Sequence, residues 1–159
     1  MPIREISAVG VGLATAALIL LAFGVSLPGF QGDTAARGSS AASETELGAN
    51  VYRTNCAACH GPSGEGQPDW QQRGANGVLP PPPHDSSGHT WHHADGLLFR
   101  IIRDGGAQFA GPTTPSGMPA FGEVLSDEET RAVVNYLKSF WGADERAFQT
   151  QVSESDPLP

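Results

Sequence analysis

Cys56-Ala57-Ala58-Cys59-His60 is the stretch that decides how this chain is read. Its two cysteines are the only ones in 159 residues. On a helix, positions three apart share a face, so both sulfurs can reach the vinyl groups along one edge of a haem and form thioethers. A C-x-x-C-H run reads as c-type haem attachment. His60 follows at once and can offer an imidazole nitrogen to the iron.

Two other chemistries compete for these residues. A thiol–disulfide pair would need a βαβ pattern around it, which the sequence lacks. Tetrahedral zinc is the stronger rival, because Cys56 and Cys59 could join His89 and His93 at acceptable ligand spacing. The gap between the pairs is longer than in a compact finger, and zinc leaves His60 without a role.

A formal net charge of -8 disfavours nucleic acid, which would repel the chain, and suits a basic partner surface. The 13 prolines and 20 glycines imply much loop and a small core. A covalently held haem would supply part of the missing apolar volume.

Ala8 to Leu27 contains no charged side chain. A run of about 20 such residues matches the hydrocarbon thickness of a bilayer at helical rise. It has no polar face, which excludes an amphipathic helix of a soluble core. Residues 1–30 are therefore expected to form a single-pass transmembrane signal-anchor, with Arg4 favouring a cytoplasmic N-terminus. A cleaved signal peptide is the alternative, with small-residue sites near Ala36 and Ala42. Either way the remainder is expected outside the cytoplasm, and with the anchor retained it is expected at the cell membrane with the haem domain on the periplasmic or extracellular side. Residues 31–43 read as a flexible small-residue linker, 44–142 as the haem domain, and 143–159 as an acidic tail that extends along a surface or stays disordered.

Within the domain, Ser43-x-x-Glu46 forms a capping box that starts a first helix. Leu47, Val51 and Cys56 carry that helix to His60-Gly61-Pro62. A middle helix spans Asp95 to Asp104, with Leu97, Leu98, Ile101 and Ile102 on one side. A last helix starts at the capping box Ser126-x-x-Glu129 and carries Val133, Val134, Leu137, Phe140 and Trp141 as a core-facing stripe, stopping at Gly142. No convincing strand alternation occurs, so the fold class is all-α. Pro80 to Pro83 form a stiff extended segment in the first long loop.

The second long loop holds Met118, the only methionine besides the initiator. A thioether is a soft iron ligand, and a Met/His pair raises the haem potential. A bis-histidine site using His84, His89, His92 or His93 is the alternative, and the run from His89 to His93 could instead hold a metal ion. Trp91 could donate its indole N–H to a propionate or simply pack against the haem edge.

From Glu44 to Trp141 the sequence resembles a class I monohaem cytochrome c. The resemblance rests on Cys56-Ala-Ala-Cys59-His60-Gly61, on Gly117-Met118-Pro119-Ala120-Phe121-Gly122, and on Leu125-Ser-Asp-Glu-Glu before a helix with Tyr136-Leu137. It implies an all-helical fold around a haem crevice. It also implies one haem c bound through Cys56 and Cys59, with His60 and Met118 as axial ligands. The first and last helices would cross closely, with Gly48, Tyr52 and Tyr136 at the contact. One of Pro80 to Pro83, or Pro68, would accept the ligand histidine's proton.

The anchor resembles that of membrane-tethered cytochromes and of cytochrome subunits in respiratory assemblies. The expected function is one-electron transfer between respiratory or photosynthetic partners, by a carrier or haem subunit that is not itself an enzyme. A peroxidase-like haem enzyme with a labile sixth ligand is the alternative, and a docking subunit a third reading.

Overall fold

In a computed structural model, the described residues are 32–111 and 115–159. The expected anchor at 1–30 lies outside them. The chain divides into two units, 1–38 and 39–159, and the second holds the helical domain.

The described residues form, in order, the helices α1 Gly32–Asn55, α2 Ala57–His60, α3 Asp95–Asp104, α4 Asp127–Leu137 and α5 Ala143–Ser153. Short 3-10 turns cover Thr90–His92, Gly106–Gln108 and Lys138–Phe140. Among the described residues there are no strands. No described helix is long and apolar enough to cross a membrane.

The reading of 31–43 as a flexible linker is corrected by α1, which begins at Gly32 rather than at Ser43. The segment is rich in alanine and free of proline, and alanine is the best helix former. Once nucleated downstream, the helix extends through it at little cost. Ser43 is thus interior to α1, not its cap.

α3 has the bounds expected of it. α4 starts at Ser126, and both bonds of the capping box form: Glu129 N–H donates to Ser126 Oγ, and Ser126 N–H donates to Glu129 Oε2. The α-helix stops at Leu137, and the apolar stripe continues to Trp141 through the 3-10 turn. The tighter turn lets the Trp141 indole N–H reach the His84 carbonyl at 2.7 Å.

The core joins α1 (Val51, Tyr52), α3 (Leu98, Phe99, Ile102) and α4 (Val133, Val134, Leu137), closed by Leu125 and Trp141. Burying each large apolar side chain contributes roughly 1.5–3 kcal/mol. α1 crosses α4 at Gly48, where a β-carbon would overlap the Ala132 carbonyl and sit 2.8 Å from Tyr136 Cβ. Tyr52, Tyr136 and Phe140 stack beside that crossing, with ring centroids 5.1–5.5 Å apart. The buried Tyr52 hydroxyl donates to the Gly61 carbonyl at 2.8 Å.

The expectation of an extended or disordered tail over 143–159 is also corrected. Residues 143–153 form α5, and its polar side chains, not its apolar ones, are the buried anchors. Gln149 Nε2 donates to Asp95 Oδ1 at 2.6 Å and to Ser153 Oγ at 2.8 Å. Ser153 Oγ also accepts the Asp95 backbone N–H at 3.0 Å. Lys138 Nζ closes the network on Asp95 Oδ2 at 2.7 Å. These bonds satisfy the start of α3, where a carboxylate also suits the helix dipole. Beyond α5, Asp156 forms a two-pronged ion pair with Arg100.

Candidate functional site

Cys56 joins the end of α1 to the start of α2 and His60 closes the single turn of α2, so the motif lies on nearly continuous helix. The His60 N–H donates to the Cys56 carbonyl at 2.9 Å, and the Cys59 N–H donates to the same oxygen at 3.1 Å. Neither cysteine is in a disulfide: Cys56 is half-buried and Cys59 exposed. Burial pushes the Cys56 thiol up to about 11.

His60 is buried, and its Nδ1 lies 2.9 Å from the Pro82 carbonyl. A carbonyl only accepts, so Nδ1 carries the proton and Nε2 keeps its lone pair. Burial holds the His60 pKa below its usual value, with the Pro82 bond opposing the shift. Of the five candidate prolines, Pro82 is therefore the partner.

The proline segment is brought there by backbone pairing. Gln67 N–H donates to the Pro81 carbonyl at 3.0 Å, and His84 N–H to the Gly64 carbonyl at 2.6 Å. Between these bonds Gly66, at φ +68°, lies so close to the Pro82–Pro83 backbone that a β-carbon would clash with it.

Met118 is partly buried against the core, as are Cys56, Trp91 and Phe121. Its loop is fastened to the end of α3 through the main chain. Phe121 N–H donates to the Ile102 carbonyl at 3.0 Å, and Gly122 N–H to the Arg103 carbonyl at 2.9 Å. Gly106 N–H donates to the Met118 carbonyl at 3.1 Å. The loop thus takes up carbonyls that a helix end would leave unpaired.

Among the described residues, no three His, Cys, Asp or Glu side chains gather around a common point. The zinc set of Cys56, Cys59, His89 and His93 is not assembled. His89 instead stacks on Trp70, with centroids 5.6 Å apart, and meets His93 edge-on at 5.3 Å. His84 lies face to face with His60, centroids 4.1 Å apart at an interplanar angle of 24°. If His60 ligated a haem iron, an imidazole stacked on its ring would lie on the same side of that haem and could not ligate from the other, which speaks against His84 in the bis-histidine alternative.

The residues present fit a haem. Two unpaired thiols stand three positions apart, an oriented imidazole follows them, and the Met118 thioether is held in an apolar surround. The Trp91 indole N–H is buried with no partner among the described residues. An orphaned donor of this kind carries a desolvation cost of about 1–3 kcal/mol, which an acidic group such as a propionate would remove.

A profile of the cytochrome c family matches residues 45–141. The chain belongs to the cytochrome c family. Relatives of this cytochrome c include the "Gluconate 2-dehydrogenase cytochrome c subunit" of Pantoea cypripedii, 30% identical over 123 residues. That alignment covers 76% of this chain and 26% of the relative. "Cytochrome c6, chloroplastic" of Chlamydomonas reinhardtii is 28% identical over 109 residues, covering 65% of this chain and 60% of the relative. The cytochrome thus spans 26% of the first relative's length and 60% of the second's.

Membership of this family implies covalently bound haem c as the cofactor and electron carriage as the role. Sequence reasoning did not find the stacking of His84 or the anchoring of Gln149 and Ser153. The i, i+4 spacing of that last pair, on a proline-free stretch after Gly142, was the available signal.

Proposed function

We propose that this chain is a class I monohaem cytochrome c that passes single electrons between redox partners at a membrane surface. In this reading Cys56 and Cys59 hold the haem through thioethers, and His60 and Met118 are the axial ligands. The bound haem supplies a one-electron couple. The protein's own groups set its conditions: Pro82 orients His60, the end of α3 fixes the Met118 loop, and the core excludes water.

The observation that carries the reading is the His60–Pro82 bond, which leaves Nε2 as the one ring atom free to ligate. Two protein ligands leave no open position for a substrate, which favours carriage over catalysis. The relatives' names support a donor or acceptor of the dehydrogenase or photosynthetic kind, and the acidic charge favours a basic docking face. Residues 1–30 act as the membrane anchor, with the haem domain on the periplasmic or extracellular side.

Met118→Ala tests the ligand set. The ferric protein should show the weak near-red band of a methionine sulfur on iron, and the variant should lose it with a fall in midpoint potential. Rapid cyanide binding to the parent, without loss of that band, would instead favour a haem enzyme. Detergent extraction and N-terminal sequencing of the membrane-bound form test the anchor: an N-terminus beginning after residue 30 would refute it.

A further inference from the structure

We propose that His84 is a positioning residue that sets the rotation of the His60 ring about its bond to iron. The proposal rests on the reading of His60 as an axial ligand. A single hydrogen bond from Nδ1 to Pro82 fixes one edge of that ring. Rotation of the plane is limited by whatever lies on its faces, and the His84 ring lies on one of them at 4.1 Å.

His84 is itself held on every side. Its N–H donates to the Gly64 carbonyl, and its carbonyl accepts the Trp141 indole N–H. Its Nδ1 lies 2.9 Å from Thr90 Oγ1. The Thr90 hydroxyl has one proton, directed at the Pro83 carbonyl at 3.4 Å. Thr90 therefore accepts from His84, which fixes the Nδ1–H tautomer. Tyr52 meets the His84 ring edge-on, centroids 6.1 Å apart.

A side chain wanted only for volume would not need four anchors. A flat plate parallel to the ligand needs them, because its own tilt would pass directly to the ligand. The orientation of an axial imidazole determines how the unpaired electron of ferric iron is distributed over the haem. It is therefore visible in the spread of the haem-methyl proton resonances and in the g-values of the ferric protein.

The test uses three variants of the haem-loaded protein. His84→Leu removes the plate, His84→Phe restores a flat face without the Nδ1 bond, and Thr90→Val keeps the ring but cuts its anchor. The expected result is a shift of the methyl resonances and g-values in His84→Leu, a smaller shift in Thr90→Val, and return towards the parent pattern in His84→Phe. The near-red methionine band should be unchanged in all three.

Parent-like resonances in His84→Leu would overturn the proposal even if thermal stability fell, since packing alone would account for that. Equal shifts in the Leu and Phe variants would overturn it too. Should His84→Leu fail to take up haem, the near-isosteric Thr90→Val decides: a parent-like pattern there refutes the plate. Absence of a low-spin ferric signal in the parent itself would refute the ligand assignment instead, so the two failures are separable.

Discussion

At the scale of single residues, the site depends on polar atoms that meet backbone rather than one another. Pro82 and Gly61 each lend a carbonyl, to His60 and to Tyr52. Tyr52→Phe leaves the Gly61 carbonyl without its buried partner, for a loss of about 1–2 kcal/mol. A thermal melt should show a drop of about 2–4 °C per kcal/mol, with the ligand spectrum retained. An unchanged melting temperature would mean that water replaces the hydroxyl. The Cys56–His60 motif and Met118 stand out in the sequence because the one is a contiguous run and the other is the only methionine besides the initiator. Pro82 could not be chosen among its neighbours, since backbone pairing at Gly64 and Gln67, not residue type, selects it. His84 was invisible as a partner of His60 for the same reason.

At the scale of elements, the helices with strong apolar periodicity or a capping box were legible: α3 and α4 have the expected starts. The two misreadings arose where composition replaced periodicity. Small residues at 32–43 suggested a coil but supply helix propensity, and the acidic α5 is anchored by Gln149 and Ser153, whose polarity hides their burial. The close approach of α1 and α4 at Gly48 is the one that the family resemblance implies. Gly48→Val should force the two helices apart, at a cost of about 1–3 kcal/mol for overpacking. Chemical denaturation should show that loss, while the near-red band persists because the crossing bears no ligand. Persistence of full stability would mean that α1 can slide along α4.

The Arg100–Asp156 pair fastens the residues after α5 to α3. Arg100 holds the Asp156 carboxyl below its ordinary value of about 3.9. A carboxylate with a depressed folded-state pKa adds stability that is complete above the unfolded value and lost as pH falls through the folded one. The stability gap between parent and Asp156→Asn should therefore be constant near neutrality and close progressively below about pH 4. A gap that widens on acidification would contradict the pairing. The pair is partly exposed, so the gap itself should be small and should shrink in salt.

At the scale of the whole molecule, the charge of -8 is the property a partner meets first. Electron transfer to a basic acceptor should slow as ionic strength rises, because steering by opposite charge is screened beyond about 8–10 Å at physiological salt. Stopped-flow rates across a salt series would show it, and a rate that rises with salt would point to an acidic partner. The haem domain was legible as a whole from its motifs. Its partners were not, because docking surfaces leave no short pattern in a sequence.

Among the described residues, the hydrogen bonds that tie the loop carrying Met118 to the end of α3 run between main-chain atoms, and Val124 at its far end is 66% exposed. Main-chain ties are indifferent to which side chains point outward. The skin of this segment can therefore be rewritten, by selection or by an engineer, to suit a new acceptor while the thioether behind it keeps its station. A recipient swap would need no retuning of the redox centre.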